Sequence, residues 1–350
     1  MSKPILFASS VVGSLPRPAF VLDLINDRPP LPPDRYAREM QTAVRYAVAM
    51  QEHAGMDVVT DGEWWRKSYI GVIAELAHGF ELGTAPDGRP WTVVVDKLSP
   101  KKPGFIAQEA KFLKSITTRQ IKSTLPSPAL LGERMWHAEK SAKAYPKRDD
   151  FVRACVPILR RELELVRDAS ADIVQIDDPH LCLFVDPDVR SRYTDPDGAA
   201  AFAADMVNEV VNGVTGIKIA VHLCRRAGAR VRGEHSHGGG YGPILPYLNR
   251  LKVHHLTMEF TAPESGDMSD LHYLMQPHHA LTIAHHNEQR AEQFFLMLAK
   301  KAPAAGVRRA ALEMAAEETE HVRLIAEWIK RTPAPDRDWA FDPDPPVLSD

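Results

Sequence analysis

The sequence predicts an α/β protein, a (β/α)8-type TIM barrel followed by a carboxyl-terminal α-helical hairpin, on three observations. Seven β-rich runs alternate with longer helical patterns between Ile5 and Phe260, and such alternation implies a parallel sheet with helices outside it. Chemically capable side chains gather at the carboxyl ends of different runs: Gly13 and Ser14, Asp61 to Glu63, Asp177 and Asp178, His222 and Cys224, and Glu259. That distribution belongs to a barrel whose site is assembled on one face from many strand ends. No Gly-x-Gly-x-x-Gly follows the first run, which removes the main cue for an open dinucleotide-binding sheet.

Taken in order, Ile5–Val12 is the first strand expected, stopped by the Gly-Ser-Leu-Pro-Arg-Pro segment that ends at Pro18. Tyr36–Ala54 reads as a helix, with apolar residues at Met40, Ala43, Ala47 and Met50. Asp57–Thr60 follows as a strand closed by Asp61-Gly62-Glu63. Trp91–Asp96, Gln120–Leu125 and Asp172–Asp177 are the next three, and Phe151–Ala169 and Ala199–Val214 are the plainest helical patterns among them. Ile217–Leu223 and His255–Phe260 complete the series. Gly238-Gly239-Gly240 lacks the Lys-Ser/Thr of a phosphate cradle and reads as a flexible loop. The barrel is left incomplete at its eighth strand: His279–His286 offers one, with Leu281 and Ile283 on one face, but a helical stripe through Ala284 argues against it.

The bulk numbers confine the function. A chain of 350 residues, 44% hydrophobic and 25% charged, has the composition of a globular protein with room for a large domain and an appendage. Lys+Arg 43 against Asp+Glu 46 leaves a net charge of -3, so no field collects nucleic acid or an anionic membrane, and small neutral or zwitterionic substrates are expected instead. No run reaches the roughly 18 apolar residues of a membrane span, and the start Met1-Ser2-Lys3-Pro4 lacks the apolar core of a signal peptide. A cytoplasmic location is expected. Cys155, Cys182 and Cys224 show no disulfide spacing, which fits a reducing compartment.

Two of the apolar runs end in metal-binding residues. His222 and Cys224 lie two apart on one strand and so point the same way, while Glu259 sits at the same end of the next. A thiolate, an imidazole and a carboxylate suit Zn²⁺, and three protein ligands leave a fourth position open, as at a catalytic site. The bland alternative is a short pattern produced by chance, with an inert strand cysteine.

Five segments in order, Val12–Pro18, Asp57–Glu63, Val174–Pro179, His222–Cys224 and Thr257–Phe260, resemble the motifs of cobalamin-independent methionine synthases, and more closely those of their shorter, single-barrel members, over about residues 5–275. The resemblance implies a barrel in which zinc binds and activates a thiol such as homocysteine for attack on a methyl group carried by a folate. It places Gly13, Ser14 and Glu63 on the amino-acid part of the thiol, and matches Asp177 to a substrate-contacting, catalytic Asp. Asp178 replaces the family's usual Glu. Beside these roles stand plainer ones: Asp61-Gly62 as a turn, Asp178 as a helix cap, and Trp64, Trp65 and Trp136 either as an aromatic wall for a pterin ring or as loop packing. The family pattern also calls for a later Cys completing the zinc site, and this chain has no cysteine after Cys224.

Beyond about Ala280 the chain resembles something else. Ala284, Glu288, Ala291, Phe295 and Leu298 form one helical stripe, and Val307, Ala311, Met314, Glu318, His321, Ile325 and Trp328 form a second. A Glu facing a Glu-x-x-His on the next helix is half of the ferritin-like di-iron pattern, and the flanking residues resemble rubrerythrin-type helices. Glu288, Glu318 and His321 are therefore a second candidate metal site, for iron, unless they are only the wet edge of a packed hairpin. Leftover apolar surface on the two helices predicts a homodimer through the hairpin. The expected domains are a barrel over 1–276, the hairpin over 277–331 and a Pro-rich extended tail over 332–350. Two functions follow: a zinc-dependent thiol methyltransferase with a small-molecule thiol and a folate-like methyl donor, or a non-catalytic or redox metal-binding protein that uses the hairpin and keeps the barrel as a scaffold.

Overall fold

The computed structural model describes residues 8–26, 31–84, 90–225, 239–259 and 277–335. Helices α1 (Ala19–Asn26) and α2 (Pro33–His53) precede β1 (Val58–Val59), and α3 (Ile73–Leu76) leads into β2 (Ala77–Thr84) and β3 (Pro90–Pro100). Then come α4 (Phe105–Ile116), β4 (Gln120–Pro126), α5 (Pro128–Met135), α6 (Ala138–Ser141), α7 (Arg148–Asp168) and β5 (Ile173–Asp177). After α8 (Pro179–Leu183), α9 (Pro187–Arg190) and α10 (Pro196–Val211), strands β6 (Lys218–Leu223) and β7 (His255–Met258) follow.

Local chemistry accounts for the main helices. In α2 a proline opens the first turn beside Asp34, and the buried residues Met40, Ala43, Val44, Ala47, Val48 and Gln51 repeat at the three-and-four spacing of one helix face. Met50 lies off that face and is exposed. Asp195 caps α10 by accepting the Gly198 N–H at 2.8 Å. Helix α7 buries Cys155, and α8 buries Cys182, whose thiol is pushed up to about 12 by burial. Both behave as small apolar residues.

Strands β1, β4, β5, β6 and β7 pair in that order, all parallel, in a five-stranded sheet. Ser10 adds a parallel bridge to Val58 at the β1 edge, while residues 5–7 of the first expected strand lie outside the described residues. Strands β4 and β5 are buried almost throughout, as parallel strands covered on both faces must be. All five strands run the same way, so their carboxyl ends form one rim.

One expectation needs correction. Trp91–Asp96 is a strand, but it lies in β3, which pairs antiparallel with β2 as a separate two-stranded ribbon and adds nothing to the parallel sheet. Its alternating pattern is satisfied by either kind of pairing, and β2 was missed because Gly79 and Gly83 dilute its β character. Of the two readings of His279–His286 the helical one holds: the segment lies inside the helix Pro277–Lys301, because its apolar residues serve the 3.6-residue stripe. Phe260 and the rest of 260–276 lie outside the described residues, as do Gly238 and 336–350 of the tail.

A second compact unit contains the helices Pro277–Lys301 and Ala305–Arg331. Ala299, Ala302, Ala311 and Ala315 are buried where the two helices meet. The expected stripe of the second helix is rotated: Val307, Met314 and Trp328 are exposed, because the small side chains, which permit closer helix approach, take the contact face. No described helix is long and apolar enough to cross a membrane.

Candidate active site

The rim of the sheet collects the side chains expected of it. Gly13 is stapled to the turn after β1: Thr60 Oγ1 donates to Gly13 O at 2.8 Å, and Leu15 N donates to Gly62 O at 3.0 Å. The Asp61-Gly62 turn is real, since Asp61 Oδ1 accepts the Glu63 N–H at 2.9 Å and Gly62 has φ +70. Glu63 itself takes φ 59, a left-handed conformation costly for a side chain of its type. The turn therefore spends backbone strain on delivering one carboxylate into the barrel.

Glu63 is buried, and Thr124 Oγ1 on β4 donates to its Oε1 at 2.6 Å. Its Oε2 is buried with no hydrogen-bond partner among the described residues. Burial pushes this carboxyl above its usual range and Asp177 adds to that, while the Arg66 guanidinium opposes it. Any Cβ at Gly13 would stand 3.0 Å from Glu63 Oε1 and 2.9 Å from Thr124 Cγ2, so glycine keeps the space beside the carboxylate open. Ser14 is exposed beside it. Behind Glu63, Arg66 donates to Thr124 Oγ1 at 3.0 Å and makes a buried bidentate pair with Glu109 of α4, 2.6 Å at its shortest. The second layer of the site is thus a fixed chain, Glu109–Arg66–Thr124–Glu63.

Across the sheet, Asp177 and His222 are direct neighbours in the parallel register of β5 and β6. His222 Nδ1 meets Asp177 Oδ1 at 3.0 Å, and Gln175 Nε2 donates to the same oxygen at 2.8 Å. A carboxylate on Nδ1 leaves Nε2 as the ring nitrogen for a metal, the usual outer partner of a ligating histidine. Lys122 on β4 donates to Val11 O at 2.7 Å, and burial pushes its ammonium down to about 8 against the opposing pull of Asp177 and Glu63. Asp178 is the cap of α8, accepting the Leu181 N–H at 2.9 Å; burial pushes its carboxyl up to about 7.

Cys224 and Glu259 close the rim. They follow Leu223 and Met258, which pair in register, so both stand at the same height on adjacent strands. Cys224 Sγ lies 3.3 Å from Glu259 Oε2, which also accepts the Arg225 N–H at 2.6 Å. Tyr241 Oη donates to Glu259 O at 2.7 Å. The Arg225 guanidinium is fully buried over the Tyr241 ring at 4.4 Å. Thiol and carboxylate in contact, with a carboxylate-oriented imidazole two residues before the thiol, is a donor set that fits zinc. His222 does not yet close on that pair: among the described residues, the one group of three such side chains with all ligand atoms within 4.8 Å is Glu288, Glu318 and His321 of the hairpin.

Trp64 is fully buried and its Nε1 donates to Leu15 O at 3.2 Å; Trp136 Nε1 donates to Tyr145 O at 2.9 Å. These two rings are packing, not an open aromatic wall. Lys122, Thr124 and Gln175 escaped notice in the sequence, although a lysine and a glutamine inside otherwise apolar strands are the visible signal that a barrel interior is polar.

Residues 7–278 match the family described as "Cobalamin-independent synthase, Catalytic domain". The chain is similar to the methionine synthase of Saccharolobus solfataricus, 29% identical over 265 residues covering 72% of this chain and 69% of that one. It is also similar to the methionine synthase of Pyrococcus horikoshii, 25% identical over 281 residues covering 77% and 73%. In fold it resembles the B12-independent methionine synthase of a Shewanella species, solved in complex with selenomethionine, with TM-score 0.58 and 20% identity over 93% of this chain and 100% of that one. With the family match running through every motif on the barrel rim, this chain belongs to the cobalamin-independent methionine synthase family.

Proposed function

We propose that the protein is a zinc-dependent methyltransferase that moves a methyl group from a folate or related carrier onto the sulfur of a small, homocysteine-like thiol. The observation that carries this reading is the meeting of Cys224 and Glu259 on adjacent strand ends, with His222 oriented by Asp177 beside them. His222 Nε2, Cys224 Sγ and a Glu259 oxygen would hold the zinc, which when bound lowers the pKa of a coordinated thiol and makes the thiolate available near neutral pH.

The chain's own residues do the rest. Glu63 Oε2, buried and without a partner among the described residues, accepts the substrate ammonium in a charge-assisted contact, and Gly13 leaves room for it. Asp177 holds the tautomer and orientation of His222. In the transfer, the thiolate sulfur forms a bond to the methyl carbon as the bond from that carbon to its carrier breaks, and the electron pair of the broken bond stays with the carrier. The competing reading, a non-catalytic protein with a vestigial barrel, is not favoured, because the family match at 7–278 includes the whole of the rim.

Zinc content and thiol methylation test the proposal together. Cys224→Ala is expected to lose about one zinc per chain relative to the unsubstituted protein, and zinc-loaded protein to methylate at least one member of a thiol panel supplied with a folate or corrinoid donor. Full zinc retention by Cys224→Ala, or no methylated thiol from any donor, overturns it.

A further inference from the structure

The helices Pro277–Lys301 and Ala305–Arg331 hold side chains that the barrel chemistry does not use. Glu288, Glu292, Phe295 and Ala299 follow one another at intervals of four, three and four on the first helix, and Ala311, Ala315 and Glu318 at four and three on the second. Ala299, Ala311 and Ala315 are buried on these stripes, and Glu292 accepts the Thr319 hydroxyl across the pair. The stripes carry Glu288 and Glu318 to the same level of the hairpin, and His321 stands one turn beyond Glu318.

The ligand atoms of the three side chains all lie within 4.8 Å of one another. His321 Nδ1 is 3.0 Å from Glu318 Oε2 and 3.4 Å from Glu288 Oε2. Glu318 and Glu288 are 17% and 31% exposed, and His321 is 52% exposed. The cluster is therefore fixed at its carboxylate side and open to solvent at its imidazole side. Arg323, two residues beyond His321, is held by Glu320 and Glu327.

We propose that Glu288, Glu318 and His321 form a binding site for one divalent first-row transition-metal ion, on a ligand set that shares no residue with His222, Cys224 and Glu259. Two carboxylates and an imidazole suit Fe²⁺, Mn²⁺, Co²⁺ or Zn²⁺ and disfavour soft Cu(I). Three protein ligands with an open imidazole side leave coordination positions for water or an exogenous molecule. A cation also relieves the crowding of the two carboxylates.

Cobalt separates this site from the barrel, because Co²⁺ on a thiolate gives a near-ultraviolet charge-transfer band that a site of oxygen and nitrogen ligands lacks. Metal-free full-length protein is titrated with Co²⁺, and Glu318→Gln and His321→Ala are titrated alongside. Each variant is expected to lose about one equivalent of Co²⁺ and the part of the visible d–d absorption which that equivalent contributes, with the helical circular dichroism retained. Any thiolate band, which reports the barrel, stays as in the unsubstituted protein. Unchanged stoichiometry in both variants overturns the proposal. An absent thiolate band would count against the barrel reading alone, and if either variant loses helicity, Glu288→Gln supplies the same comparison from the other helix.

Discussion

His222 and Asp177 face each other across neighbouring parallel strands, and a 3.0 Å contact from Nδ1 to Oδ1 ties the ring to the carboxylate. That contact makes Asp177 the outer partner of an expected metal ligand. Asp177→Asn is expected to lower zinc affinity roughly 10- to 100-fold, read by competition with a chelator. Unaltered zinc affinity together with a raised KM for the thiol would instead return Asp177 to the substrate-contacting role that the family resemblance implies.

Glu63 has one oxygen bonded to Thr124 and one buried without a partner among the described residues. Glu63→Gln keeps the shape and removes the charge. Loss of a hydrogen bond to a charged group costs about 1.5–3 kcal/mol, so KM for an amino-acid thiol should rise by about 10- to 100-fold. A thiol of similar length lacking the ammonium should be nearly indifferent to the change. Equal losses for both thiols would show that Glu63 only supports the fold.

Lys122 links the site to pH. Its folded pKa, pushed down to about 8 by burial, lies below the ordinary lysine value of 10.5. A group so depressed binds fewer protons folded than unfolded, so stability rises as pH climbs from about 8 toward 10.5 and falls as pH drops back through 8. Lys122→Met should flatten that window in urea denaturation measured across it. An identical pH dependence in the variant would show that the ammonium is not held as the structure holds it.

The Arg66–Glu109 pair is buried on both sides, with side chains 3% and 6% exposed. Glu109→Gln leaves an uncompensated guanidinium and should destabilise the barrel by roughly 3–5 kcal/mol. Denaturant midpoints check this, and a change below about 1 kcal/mol would place the pair among the weak surface ion pairs.

Phe294, Met297, Leu312 and Trp328 are exposed on the hairpin, and we propose that a second copy of the chain covers them in a homodimer. Full-length protein at micromolar concentration should show a mass about twice the 39.0 kDa chain, and Phe294→Asp with Trp328→Asp should return it to one chain. A monomeric unsubstituted protein ends the idea.

The order of elements and the rim positions were legible in the sequence because both depend on short-range rules. Alternation puts His222 and Cys224 on one side of a strand, and the stripe from Met40 to Gln51 identifies α2 without reference to anything outside it. The same rules predicted Glu63, Asp177 and Glu259 at strand ends. What the sequence by itself did not determine is which distant groups meet. The assignment of Trp91–Asp96 to an antiparallel ribbon rests on hydrogen bonds to β2, and strand periodicity is the same for either partner. The rotation of the second hairpin helix onto Ala311 and Ala315 depends on how closely two backbones approach, which the stripe alone does not encode. The joining of Asp177 to His222, of Thr124 to Glu63 and of Cys224 to Glu259 rests on the register between strands far apart in the chain. Only the tertiary structure decides that register, because packing of the whole sheet sets it.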